Sequence, residues 1–290
     1  MLNSYIGVFL YLVLPNHLMW RFLSDNERAM LLNSTRLHNN LQYAQPGSYD
    51  RDHLRHIPAS ETKEGKIVNW VLNAYSPASV LEIGPGNGFY SRLFLDYASV
   101  KTYTAIDIVE PFIEYMRKNV IRGDDPSKVK LIYGNFLENR FDSRFDLIIF
   151  IASLHHIPNR VEVTRKCASL LTKNGRIVFI EPRHGIPRII QLFRKYVKHY
   201  HKNEFWMNRN NFSSHHFLAF SEIKHIARTC KLKIARLFFY SIIKGDRHLK
   251  NILKPKIGFF SCRHFVPLSL FAQFVYVVFE KDKHSCSMQQ

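Results

Sequence analysis

The sequence predicts an α/β fold built on a doubly wound sheet, and three stretches carry that prediction. Ser79 to Phe94 reads S-V-L-E-I-G-P-G-N-G-F-Y-S-R-L-F: a short apolar run, then glycines at alternate positions, then helical spacing. Tyr103 to Ile106 is a second apolar run, ending in Asp107. Phe145 to Ala152, F-D-L-I-I-F-I-A, is the most apolar strand candidate in the chain. Strands buried on both faces read as continuous apolar runs, and helical patterns between them mark crossover units.

Taken in order, the chain opens with an apolar run of ten, Tyr5 to Leu14, that stops at Pro15. Spanning a bilayer takes about 20 residues, so this run either packs as a core helix or lies in a membrane interface. No basic residue precedes it and no small-residue cleavage site follows, which argues against a signal peptide. Asn33 to Ile57 is polar, with a turn at Gln45-Pro46-Gly47-Ser48. His53 and His56 lack a further ligand at suitable spacing, so no metal is expected. Ser60 to Tyr75 reads as a helix capped by Ser60, with Ile67, Val68, Val71 and Leu72 on one face.

The helix leads to Val80, Leu81 and Ile83, a strand that carries one carboxylate, Glu82. Gly84, Gly86 and Gly88 lack a Cβ, so the backbone there can turn at positive φ and let a ligand lie against the peptide units. Strand, glycine turn and helix in that order form the nucleotide-binding start of a doubly wound sheet. Asp107, nineteen residues after Gly88, stands where such folds place the acid that accepts ribose hydroxyls. The dinucleotide fingerprint requires glycine where Phe89 stands, so the spacing disfavours NAD.

A helix begins at Pro111 with Phe112, Ile113, Tyr115 and Met116 as its apolar side, and Val129 to Tyr133 is the third strand, followed by Gly134, Asn135 and Phe136. The fourth strand delivers Ser153-Leu154-His155-His156-Ile157-Pro158 to the ligand edge, which makes His155 and His156 the general-base candidates. Equally, a histidine there can simply close the strand end by hydrogen bonding. Val161 to Leu171 is a helix stopped at Asn174-Gly175, and Arg176 to Ile180 is the fifth strand, running into Glu181-Pro182.

These residues resemble the class I S-adenosylmethionine-dependent methyltransferases, most of all their small-molecule, quinone-methylating branch. The resemblance covers Glu61 to about Glu181, with L-L-T-K-N-G-R-I-V-F-I-E-P its fifth-strand signature, and returns in the closing strands. It implies a Rossmann-like seven-stranded sheet closed by an antiparallel β-hairpin, here Leu232 to Tyr240 with Ala272 to Glu280. It implies S-adenosyl-L-methionine as cofactor, with Glu82, Gly84, Gly86 and Gly88 at the methionine part and Asp107 at the ribose. Asn135 stands where family members usually carry Asp against the adenine amino group, with Phe136 beside it. The implied organisation is an N-terminal extension or cap over residues 1–58 and a methyltransferase domain over 59–290, with insertions at about 183–216 and 245–270.

Those insertions are distinctive. Pro187 to Lys202 reads as a basic amphipathic helix, and Phe205 to His216, rich in asparagine, aromatics and histidine, is expected to shape an acceptor pocket. Ser221 to Cys230 resumes as a helix capped by Ser221. Charge is concentrated there too: 21 basic against 18 acidic residues up to Pro182, a balance of +3, and 20 against 5 from Arg183, a balance of +15. Such a basic half attracts an anionic membrane surface, an acidic substrate or RNA. The four cysteines, Cys167, Cys230, Cys262 and Cys286, form no metal or disulfide pattern, consistent with a reducing, cytoplasmic setting.

The sequence therefore points to methyl transfer onto a small-molecule or lipid-like acceptor, with the protein cytoplasmic or peripheral at the inner membrane surface. RNA methylation is the less favoured alternative, since no D/N-P-P-Y/F motif and no RNA-binding signature is present. A pseudoenzyme that only binds cofactor is the other.

Overall fold

In the computed structural model the described residues are 57–157, 159–183, 218–240 and 274–282, with isolated positions at 14, 15, 18, 21, 25, 189 and 190. Nearly all of the expected run at 5–14, His53 and His56, most of the 187–202 stretch, and the segments 205–216 and 245–270 lie outside them.

The first helix, α1 (Lys63–Tyr75), starts later than the sequence suggests: Ala59–Glu61 forms a 3₁₀ turn, and Thr62, not Ser60, is the cap. Thr62 Oγ1 accepts the Gly65 amide at 2.9 Å while donating to the Ala59 carbonyl at 2.7 Å, so one hydroxyl satisfies both turns. Ser76, at φ 41°, ends the helix by returning its amide to the Leu72 carbonyl, and Pro77 follows.

Strands β1 (Ser79–Ile83), β2 (Thr102–Asp107), β3 (Val129–Tyr133), β4 (Phe145–Ile151), β5 (Leu171–Pro182), β6 (Leu232–Tyr240) and β7 (Phe274–Lys281) form one sheet in the order β3-β2-β1-β4-β5-β7-β6. The first five are parallel; β7 is antiparallel to both β5 and β6, which is the expected closing hairpin. Between the strands lie α2 (Ser91–Leu95), α3 (Glu110–Tyr115), which continues as a π-helical turn Met116–Val120, α4 (Arg160–Leu170) and α5 (Phe220–Thr229). The fifth strand begins directly after α4, earlier than expected, because Leu171 already pairs with Phe145 before the register slips and resumes at Arg176 with Leu147.

Side chains alternate across the sheet, and each face has its own core. Val80, Tyr103, Leu147, Ile149, Val178 and Ile180 pack with Val68, Val71 and Leu72 of α1 and Phe94 of α2. Leu81, Ile83, Ile148, Phe150, Ile177 and Phe179 pack with Val163 and Cys167 of α4 and Ile223 and Ile226 of α5. Each such fully buried side chain contributes roughly 1.5–3 kcal/mol. The chain order reverses between β1 and β4, which opens a crevice at the carboxyl ends of those strands.

Candidate functional site

The glycine loop leaves β1 at this crevice. Gly84, Gly86 and Gly88 all adopt left-handed φ, at 71°, 57° and 78°. Their surroundings differ. A Cβ on Gly84 would stand 2.7 Å from Ser153 Cβ, and one on Gly88 would stand 2.9 Å from Met116 Cγ, so those glycines admit protein. A Cβ on Gly86 would meet only Phe112, at 3.9 Å, so Gly86 faces open space at the strand ends. Asp107, at the end of β2, holds the loop: its carboxylate accepts the Gly86 amide at 3.0 Å and the Val109 amide at 2.9 Å. Burial pushes the Asp107 carboxyl up to about 6, while those amides pull it down.

Glu82 lies on the α1–α2 face of the sheet, beneath the loop. It is 2% exposed and accepts hydroxyl hydrogen bonds from Ser91, at 2.9 Å, and from Tyr103, whose hydroxyl also reaches Ser91 at 2.8 Å. Burial pushes its carboxyl up to about 7. The side chain is thus a brace between β1, β2 and α2.

Asn135 sits after β3 with its amide occupied locally. Its oxygen accepts the Leu137 amide at 3.0 Å and its nitrogen donates to Glu138 at 2.7 Å, closing a side-chain turn. Phe136, grouped with Asn135 at the cofactor by the resemblance, packs its ring in the core on Phe141, centroids 5.5 Å apart, with Lys166 Nζ 5.1 Å from its centroid.

Across the crevice, β4 ends in a 3₁₀ turn, Leu154–His156. The two histidines are not equivalent: His155 is 6% exposed, His156 is half-buried, and their rings lie 4.0 Å apart. Glu181 of β5, which the sequence reading did not single out, organises this turn. Its Oε1 accepts the Ser153 and Leu154 amides at 2.9 and 2.8 Å, and its Oε2 accepts the His155 amide at 3.3 Å and contacts His155 Nδ1 at 2.8 Å. Burial raises the Glu181 carboxyl to about 7, against the pull of these amides and of Arg160. A carboxylate inside the apolar run I-V-F-I-E-P was the available signal.

Arg160 grips the turn from behind. Its Nε donates to the Leu154 and Ile157 carbonyls at 3.2 and 3.1 Å, one terminal nitrogen donates to the His155 carbonyl at 3.2 Å, and the other meets both Glu222 oxygens at 3.0 Å. Glu222 also accepts the Ala219 amide at 3.4 Å, so α5 starts from Ala219 rather than from the expected Ser221. Ser153 joins the two halves: its hydroxyl donates to the Ile83 carbonyl at 2.7 Å, beside Gly84. Among the described residues no cluster could hold a metal, Cys167 and Cys230 are buried free thiols, and no helix is long and apolar enough to cross a membrane.

The arrangement offers a cradle of backbone and carboxylate at β1 and β2, and a buried imidazole–carboxylate pair at β4 and β5. Residues 81–179 match the family model described as a methyltransferase domain. The chain is 31% identical over 99 residues to the 27-O-demethylrifamycin SV methyltransferase of Amycolatopsis mediterranei, covering 34% of this chain and 36% of that protein. It is 25% identical over 156 residues to the tRNA1(Val) (adenine(37)-N6)-methyltransferase of Vibrio vulnificus, covering 48% and 65%. The match thus spans less than two thirds of either relative's length. The fold is that of the N-methyltransferase NodS from Bradyrhizobium japonicum, solved with S-adenosyl-L-homocysteine, with a TM-score of 0.55, 14% identity, and coverage of 86% of this chain and 100% of that one.

Proposed function

We propose that this chain, whose residues 81–179 match a methyltransferase-domain family model, binds S-adenosylmethionine over residues 84–88 and transfers its methyl group to a small-molecule or lipid-like acceptor. One observation carries this reading. Gly86 turns at positive φ with open space where a side chain would be, its amide held by Asp107 at the crevice where doubly wound folds bind ligands. Held there, S-adenosylmethionine would supply an activated sulfonium methyl group, and an acceptor that must lose a proton would need a base beside it. The protein's part is chiefly positioning. Gly86 gives close approach to the backbone, Asp107 offers carboxylate lone pairs to ribose hydroxyls, and His155 or His156 stands at the acceptor side.

The O-methylating relative from Amycolatopsis supports a small acceptor. The tRNA-modifying relative and the basic second half support RNA instead. Against that, the turn after β4 reads A-S-L-H-H-I-P, without the D/N-P-P-Y/F motif suited to a planar amino group. The surplus of +15 from Arg183 onward, beside the apolar residues of the 187–202 stretch, also suits peripheral attachment to an anionic leaflet.

Calorimetry with S-adenosylmethionine tests the cofactor. Asp107→Ala should weaken binding at least tenfold, since each hydrogen bond to a charged group is worth roughly 1.5–3 kcal/mol. Unchanged affinity would refute the assignment. Transfer of a tritiated methyl group to phenols, quinols, hydroxylated lipids in anionic vesicles, and transcribed tRNA then ranks the acceptors. Label in tRNA alone overturns the small-acceptor reading.

A further inference from the structure

We infer that Glu181 is the positioning residue of this site, fixing the His155 imidazole with its Nδ1–H on the carboxylate so that Nε2 is the nitrogen able to take a proton from an acceptor. The inference rests on the transfer reading above and names the base within it.

Glu181 meets four groups, and three of them are backbone N–H groups that can only donate. A carboxyl surrounded in this way serves as acceptor, and the fourth contact, His155 Nδ1 at 2.8 Å, matches it when the ring proton sits on Nδ1. A neutral imidazole carries one ring proton, so placing it on Nδ1 leaves the lone pair on Nε2. The ring cannot easily swing out of this arrangement. Arg160 holds the His155 carbonyl from α4, and Glu222 of α5 holds Arg160 in turn. Ser153 ties the same turn to the Ile83 carbonyl, next to the glycine loop, so the imidazole keeps a fixed relation to the proposed methyl donor.

The charged and titratable groups facing His155 among the described residues are Glu181 from β5, His156 in the same turn, and Arg160 from α4 with its counter-ion Glu222. Glu181 is the one whose charge favours imidazolium directly. When Nε2 takes the acceptor proton, the new positive ring faces that carboxylate, as in any base oriented by an acid.

Long-range ¹H–¹⁵N spectra of the full chain, labelled at histidine and assigned through His155→Gln, test this directly. At pH 8 His155 should show a protonated Nδ1 and an unprotonated Nε2. In Glu181→Gln the amide can donate to Nδ1, so the tautomer should reverse, and the imidazolium pKa should fall by about 1 unit or more as its counter-charge is lost. A wild-type His155 protonated at Nε2, or a pKa unmoved in Glu181→Gln, would show that Glu181 merely closes the turn. The wild-type spectrum decides the tautomer even if the variant fails to fold. Calorimetry with S-adenosyl-L-homocysteine separates the two readings: no binding to the wild type refutes the cofactor assignment, whereas binding alongside the wrong tautomer refutes only the role of Glu181. Folded Glu181→Gln should bind that ligand within about threefold of wild type.

Discussion

Glu82 and Glu181 invite comparison, since each is a buried glutamate within an apolar stretch of its strand, with burial raising its carboxyl to about 7. They lie on opposite faces of the sheet. Glu82 meets two hydroxyls, which can donate or accept as the partner requires; Glu181 meets three amides, which can only donate, and an imidazole. The same residue type is therefore a brace tolerant of either protonation state on one face and a committed acceptor on the other. Partner chemistry, rather than burial, separates a structural carboxylate from one that can orient a base.

The largest expected effect comes from the apparatus behind Glu181. Glu222→Leu leaves the Arg160 guanidinium buried without its counter-ion, with side-chain exposures of 1% and 2% for the pair. Breaking such a pair costs about 3–5 kcal/mol, read as a lower midpoint in urea denaturation. A loss under about 1 kcal/mol would mean that Arg160 keeps its hold on the turn without needing Glu222.

Next is the joint between the two halves. Gly84→Ala must adopt φ near 71° and places its methyl 2.7 Å from Ser153 Cβ. The expected loss is about 2–4 kcal/mol in the same assay. Gly86→Ala, with only Phe112 at 3.9 Å, should cost about 1 kcal/mol yet weaken S-adenosylmethionine binding at least tenfold. Equal effects of the two substitutions on binding and stability would erase the distinction between closed and open loop positions.

The pH dependence sharpens the contrast between the glutamates. Glu82, Asp107 and Glu181 hold their protons to higher pH when folded than in the unfolded chain, where carboxyls titrate near pH 4. The folded state binds more protons in the window from about pH 4 to 7, so stability falls as pH rises through it. Glu82→Gln removes one contributor and keeps partners for its amide, so the slope should flatten and stability at pH 8 should rise by about 1–3 kcal/mol. Glu181→Gln should instead destabilise at pH 8, because its NH₂ must face the His155 amide, which can only donate. Matching pH profiles for the two variants would show that burial alone governs both sites.

Smallest of all, Tyr103→Phe removes one hydroxyl from the Glu82 brace and should cost about 1 kcal/mol at pH 8, where the carboxyl is mostly ionised, and less at pH 5. A cost independent of pH would place the hydroxyl's main value in its bond to Ser91.

What the sequence alone determined is what depends on neighbours along the chain. Glycines at alternate positions after an apolar run permit a turn at positive φ, and all three adopt it. Continuous apolar runs bounded by turn signals suit strands covered on both faces, and these locate β1, β2, β4, β5 and the closing pair. Asp107 was legible because it ends such a run. Helix caps were read less well, since Ser60 and Ser221 are ordinary candidates and what displaced them lies elsewhere: a 3₁₀ turn stacked before Thr62, and a Glu222 drawn to Arg160, 62 residues away. The inequality of His155 and His156 was decided only by tertiary structure, because adjacent residues carry the same local signal and differ in which one meets a carboxylate 26 residues later. The same holds for the roles of Glu82 and Glu181 and for the contact of Gly84 with Ser153. Those depend on which strands lie side by side, and strand adjacency is set by burying both faces of the sheet at once, a condition on the whole chain that no local spacing contains.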